Sequence, residues 1–256
     1  MEIVKRIEDI WNDEKLNEIL PCEILERKWC FCSDVLKQNC RILIIGFNPS
    51  YRDEIKEIRP VSPFSFGHIM NTCRNHFVLP KGKWDPYWTP VSEIIWNGSV
   101  DLRNVTSYWD IFSFREKNQS CFKKKIITKK PSEFVVKHIQ LAQEIIEILK
   151  PELIIVKNKE AWAYFGYYYG QNDFEDMKNV RWMNYKYKKM ELLPCGSAQY
   201  ELNKIVGIHK GYDLNAINGN DTCLRNTKVL FMPHINQYVK KENRPSPQMI
   251  ANIIGY

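Results

Sequence analysis

With 256 residues, 44% of them apolar and 26% charged, the chain has the length and composition for one large globular core and lies outside the disordered and fibrous classes. Its formal charge of +7, from 37 basic and 30 acidic residues, leans toward a polyanionic partner without requiring one. No apolar run approaches bilayer length, and the mixed-charge start MEIVKRIEDIW is unlike a signal peptide, so a cytoplasmic protein with no membrane partner is expected.

In chain order, Ile3, Ile7, Ile10 and Trp11 recur at helical spacing, followed by Leu16, Ile19 and Leu20. They predict a helical N-terminal segment, about residues 1–40, that covers a sheet. Cys22, Cys30, Cys32 and Cys40 fall in this region. Their spacing lacks the paired C-x2-C loops of zinc sites, and they read as buried free thiols, with no metal expected.

The stretch RILIIGFNPSY follows. Ile42 to Ile45 form a continuous apolar run, three of the four β-branched, which predicts a strand buried on both faces as in a parallel sheet. Gly46, Asn48 and Pro49 then turn the chain where the strand leaves the sheet. Ligands of open α/β sheets sit beyond the carboxyl ends of strands. Gly46 permits a close backbone approach, and Asn48 carries both donors and an acceptor. An ordinary strand-to-helix turn would use the same residue types.

Pro60 and Pro63 delay the next helix to about Ser65, after which Ile69, Met70 and Cys73 resume helical spacing. WDPYWTPVSEIIWNG predicts a loop and a short helix stopped at Gly98. In DLRNVTSYWDIF, the residues Val105, Tyr108, Trp109 and Ile111 suit a strand and its exit. A basic loop with Lys123, Lys124 and Lys125 precedes the strongest helix, opened by Pro131, Ser132 and Glu133 and ended by Pro151. ELIIVKN predicts a strand and EAWAYFGYYY a helix. Residues 170–225 are the least legible, with RWMNYKYKKMELL readable as an alternating strand. VLFMPHIN predicts a last apolar strand, and Ser246 with Pro247 opens a final helix. Strands alternating with helices predict one three-layer α/β/α domain over residues 1–256 with a mainly parallel central sheet.

Taken together, GFNPS after the first strand, DLRNV, a long helix running into KPELIIVKN, and VLFMPHIN resemble the uracil-DNA glycosylase superfamily in order and character. GFNPS is similar to the water-activating G-x-N-P-G of the mismatch-specific and single-strand-selective branches. The layout resembles the iron–sulfur branch, without its cysteine pattern. The resemblance spans roughly residues 41–256, and poorly between 166 and 226. It implies a uracil-DNA glycosylase-like fold and a DNA glycosylase that releases uracil or a related damaged base by hydrolysing the N-glycosidic bond. No cofactor is implied. The implied partner is uracil-containing DNA, single- or double-stranded, and the chain is expected to be a monomer.

The same resemblance implies the site. Asn48 would hold the attacking water, and His234 would donate to the departing base. Gly46, Phe47 and Tyr51 would line the base, Phe66 would stack on it with Phe64 as the neighbouring competitor, and Asn104 would read its edge. Lys123, Lys124, Lys125, Asn236 and Gln237 would contact DNA. Ser50 stands where the motif has glycine, Ile235-Asn236 where the late motif has Pro-Ser, and the motif lacks the carboxylate of the fastest members. Asp53, at the start of the following helix, is a poorer carboxylate for that role. Two other readings stay open: a catalytically weak or inactive nucleic-acid or nucleotide-binding protein on the same fold, and a nucleotide hydrolase whose GFNPS loop cradles phosphate.

Overall fold

The apolar run after Arg41 is β1 (Ile42–Gly46), and all five of its residues are buried. The computed structural model describes residues 2–36, 39–49, 63–73, 87–116, 132–167, 183–209, 221–236 and 238–256. Two further strands are buried end to end, β2 (Thr106–Asp110) and β3 (Leu153–Lys157). The chain then forms β4 (Tyr185–Cys195), β5 (Ala198–Ile208) and β6 (Lys228–Met232). The six strands make one mixed sheet in the order β2-β1-β3-β6-β5-β4. The pairs β1–β2, β1–β3 and β3–β6 are parallel, whereas β5 runs antiparallel to both β6 and β4. Strands buried on both faces need covering layers, which is why β1, β3 and β6 read as apolar runs, whereas β2, equally buried, carries Thr106, Ser107 and Asp110.

The described residues also contain eight α-helices: α1 (Ile3–Trp11), α2 (Leu16–Ile19), α3 (Cys22–Arg27), α4 (Phe66–Cys73), α5 (Trp88–Ser92), α6 (Glu133–Leu149), α7 (Lys159–Trp162) and α8 (Pro247–Ile254). No helix among these residues is long and apolar enough to cross a membrane. α4 and α5 lie on the path from β1 out to β2, and α6 on the path back across β1 to β3. Parallel crossovers are right-handed as a rule, and two that run in opposite directions carry their helices to opposite faces of a sheet. The change of direction at β1 makes the gap between β1 and β3 a topological switch point, where an open α/β sheet offers a crevice.

Local chemistry explains the helix ends. Ser132 caps α6 by accepting from Val135 N at 3.4 Å, and Lys150 leaves it in the left-handed conformation before Pro151. Ser246 caps α8 by accepting from Met249 N at 3.1 Å, with Pro247 in the first turn and Gly255 at φ 61° ending it. α1 packs on α6, with the Trp11 ring edge-on to Phe134 at 5.3 Å and Arg6 paired with Glu144. Phe31 reaches the Trp109 ring of β2 at 6.1 Å.

Three expectations need correction. DLRNVTSYWDIF does hold a strand, but β2 begins only at Thr106: Val105 lies in a 3-10 turn over residues 103–105, and Asn104, expected at the end of a strand, stands before it. β5 was not expected at all, and the EAWAYFGYYY helix is only the four residues of α7 followed by a 3-10 turn over Ala163–Phe165. Cys30, Cys32 and Cys40 are buried free thiols, but Cys22 is exposed.

Candidate functional site

Register carries one row of residues across the carboxyl edge of the parallel strands. Gly46 lies opposite Asp110, Ile45 opposite Val156, and Lys157 opposite Met232, so the row reads Asp110, Gly46, Lys157, Met232. Asp110 and Lys157, the last residues of β2 and β3, flank the bare backbone of Gly46. A Cβ on Gly46 would overlap both the Asp110 carboxylate and the Tyr108 hydroxyl. Gly46 is therefore required for space: its missing side chain is the volume these polar groups occupy.

A directed chain of hydrogen bonds joins the two charges. The Tyr108 hydroxyl donates to Asp110 Oδ1 at 2.8 Å, the Tyr87 and Tyr108 hydroxyls are 2.7 Å apart, and Lys157 Nζ donates to Tyr87 at 2.7 Å. Because Tyr108 gives its proton to Asp110, Tyr87 must donate to Tyr108, and every link points from the ammonium toward the carboxylate. Lys157 Nζ also lies 3.9 Å from the centroid of the Tyr87 ring and 5.5 Å from that of Tyr108. Asp110 and Lys157 are 5% and 1% exposed. Burial raises the Asp110 pKa, opposed by Lys157 and by the Tyr108 hydrogen bond, and lowers that of Lys157, opposed by Asp110.

Aromatic rings back this chain. Phe66 stacks on Tyr108 at 5.7 Å and 17°, and Trp88 stands edge-on to both. Asp34 fixes the start of α4 from a distant segment, accepting from Phe66 N at 2.8 Å, Gly67 N at 2.9 Å and Ser65 Oγ at 2.7 Å. Against the upward push of burial, these bonds and one from Cys32 hold its carboxyl at about 2.

Two of the expected residues reach the same edge. Asn48, two residues beyond β1, is 7% exposed and donates Nδ2 to the Pro49 carbonyl at 2.9 Å. Its Oδ1 accepts no hydrogen bond among the described residues. His234, two residues beyond β6, is exposed on one side, with its ring 6.3 Å from that of Tyr87. Partial burial and the Lys157 charge push its pKa down to about 4, so it is a neutral imidazole at physiological pH. Since β3 lies between β1 and β6, Lys157 stands between the strand ends that carry Asn48 and His234.

The other expected residues are placed differently. Phe47 is 2% exposed and packs on Phe112 and Tyr164, and Phe66 is fully buried behind Tyr108. Phe64 is half-buried, 5.7 Å from Trp88. Asn104 is exposed at the amino end of β2, the opposite end of the sheet from Asn48 and His234. Asn236 is half-buried and its Oδ1 accepts from Tyr238 N at 2.9 Å. Tyr51, Lys123, Lys124, Lys125 and Gln237 lie outside the described residues, as does Asp53.

The loop after β6 is fastened to the segment after α5. Buried Arg244 pairs with Glu93 and donates to the carbonyls of Asn236, at 3.1 Å, and Val239. Tyr238, 83% exposed, projects from this fastened loop. A cavity of about 450 Å³ lined by Met190, Leu193, Leu202, Met249 and Ile253 lies beside β4, β5 and α8. Its lining also includes Glu191, Lys228, Ser246, Gln248 and Asn252, and it lies away from the carboxyl edge that carries Asp110 and Lys157.

No protein-family model matches this chain, and no curated protein matches it. The site therefore stands on its own geometry. Sequence reading missed Asp110, Lys157, Tyr108 and Tyr87. The signal available for Lys157 was a charged residue closing an otherwise apolar strand, LIIVK, whereas Asp110 closes TSYWD, which already carries Thr106 and Ser107 and gave no such contrast.

Proposed function

We propose that this protein is a uracil-DNA glycosylase-like hydrolase that releases uracil or a related base from DNA by cleaving the N-glycosidic bond. The observation that carries the reading is the placement of an open amide acceptor, Asn48 Oδ1, and a neutral imidazole donor, His234, on one sheet edge, beyond the ends of β1 and β6 on either side of β3. A mainly parallel α/β sheet with the motif loop after its first strand is in keeping with the implied fold. In the proposed mechanism the base is taken out of the stack. Asn48 Oδ1 orients water toward C1′ of the sugar, the C1′–N bond breaks, and its electron pair leaves on the base. His234 donates a hydrogen bond where that charge develops. The water proton goes to Asp110, which supplies from β2 the carboxylate that the GFNPS loop lacks.

Asn104 takes no part in this proposal, because it lies at the other end of β2. Incubation with single-stranded and duplex uracil oligonucleotides followed by alkali tests the reading. Strand breaks at uracil are expected. His234→Ala should lower turnover on the order of 10²–10³, the loss typical of one preorganised donor, and Asn48→Ala should lower it through loss of the acceptor that orients water, while DNA affinity persists in both. Binding without breaks in the parent protein would replace this reading with that of a binding protein. Parental rates in a folded His234→Ala variant would remove the histidine from the mechanism.

A further inference from the structure

Lys157 is a fully buried ammonium with a single hydrogen-bond acceptor among the described residues, the Tyr87 hydroxyl. An ammonium carries three N–H donors. Its other attractions are the faces of Tyr87 and Tyr108 and the charge of Asp110 at the far end of the hydroxyl chain. A buried charge is costly unless paired and fully hydrogen-bonded. Packing alone would be served by an apolar residue, as Met232 serves at the adjacent position of the row. Two unused donors on a desolvated cation, between the strand ends that carry Asn48 and His234, form a site for an acceptor-rich anion.

We infer that Lys157 binds an oxygen of a planar heterocyclic anion, the uracil-type base released when the glycosidic bond breaks. The choice of ligand rests on the glycosylase reading, whereas the anion site rests on the buried ammonium alone. Lys157 donates hydrogen bonds and transfers no proton. The electron pair of the broken C1′–N bond spreads onto the base oxygens, and the ammonium faces one of them. His234 adds a neutral donor, because the Lys157 charge opposes its protonation. Among the described residues, the titratable groups facing Lys157 are Asp110, Tyr87, Tyr108 and His234, and Asp110 offsets its charge without occupying its open donors.

The probe is 5-nitrouracil, a chromophoric base that is anionic at neutral pH, titrated beside neutral uracil. The parent protein should bind the anion more tightly than uracil. Lys157→Met alone would strand the Asp110 carboxylate, so the test variant is Lys157→Met combined with Asp110→Asn, which buries no net charge. Lys157→Gln, likewise combined with Asp110→Asn, is measured in parallel, and melting curves check folding. Each variant should lose 5-nitrouracil affinity by about 10- to 100-fold, the loss of one or more charge-assisted hydrogen bonds, with little change for uracil. A parent protein that does not bind 5-nitrouracil, or a folded variant that binds it as well as the parent, overturns the assignment. Inorganic phosphate is titrated as a control, and a lysine-dependent loss confined to phosphate likewise overturns the assignment, because it would mark an anion site of another class. Uracil release from oligonucleotides is assayed separately. Release with unchanged nitrouracil binding in the variants would remove Lys157 and keep the glycosylase. Lysine-dependent nitrouracil binding without release by the parent would keep the anion site and remove the glycosylase.

Discussion

Asp110 and Lys157 each close a buried strand, and their charge states set the conditions under which the edge can work. Burial raises the carboxyl pKa, so Asp110 becomes an ionised proton acceptor only above the usual carboxylate range. Burial lowers the ammonium pKa, so Lys157 loses its charge below the usual lysine range. The proposed chemistry needs both charged forms together. Activity should therefore follow a bell-shaped pH profile, rising as Asp110 ionises and falling as Lys157 deprotonates, with apparent values belonging to the coupled pair. Asp110→Asn should abolish the acid limb and lower the plateau. A parental acid limb in that variant would show that another group takes the proton. Gly46 belongs to the same device, since any side chain there would enter the volume of Asp110 and Tyr108.

At the scale of the element, α6 carries the most evident acid sensitivity. His138 is 1% exposed among the rings of Phe112, Phe114 and Phe134, the nearest at 4.6 Å. Its Nδ1 accepts from Ser113 N at 3.4 Å, and Nε2 has no hydrogen-bond partner among the described residues. Desolvation pushes its pKa down to about 3. An unfolded histidine titrates near ~6.5, so above that pH both states are neutral and His138 adds no pH dependence. As pH falls below ~6.5 the unfolded chain takes up a proton that the folded protein refuses, and stability declines until the folded value is reached. The slope should approach ~1.4 kcal/mol per pH unit from this one group. Denaturant unfolding of His138→Gln between about pH 6.5 and pH 5 should be flatter than the parent by that amount. Identical slopes would mean that His138 is not held neutral.

Across the whole molecule, the two ends of the sheet carry different work. The amino end is tied to the C-terminal helix: Arg41 pairs with Glu152 at 2.6 Å and donates to the Ile254 carbonyl, and Lys228 donates to the Ile253 carbonyl. Cations on the last carbonyls of α8 also favour its dipole. Asn104 and the cavity beside α8 lie toward this end. The carboxyl end gathers Asn48, Asp110, Lys157, Tyr87 and His234. Arg41→Met should therefore lower stability by about 1–3 kcal/mol, through lost charge-assisted hydrogen bonds, and leave the single-turnover rate of base release unchanged. A rate that fell in the folded variant would show that the two ends are coupled. Since Glu152 is half-exposed, the lower half of that range is the better expectation.

Much of this architecture is written in local patterns. Unbroken apolar runs specify β1, β3 and β6, because a strand buried on both faces has no polar side to present. Serine caps and proline stops specify α6 and α8, because the groups they satisfy are only three or four residues away. For the same reason Asn48 and His234 could be placed beyond strand ends from sequence: each lies two residues past an apolar run. Local pattern failed where partners are distant. β5 alternates polar and apolar residues and becomes a strand through its pairing with β4 and β6, and Asn104 was misplaced because Val105 and Thr106 do not mark which end of β2 they occupy. The charged row was invisible for a deeper reason. Asp110, Tyr87 and Lys157 come from separate segments, and only the strand order β2-β1-β3 with its register sets their side chains around the bare backbone of Gly46. Sequence alone determined which strands are buried and where the chain leaves them. Tertiary structure decided which charges meet there, because the energy of a buried ion depends on what surrounds it in space, not on its neighbours along the chain.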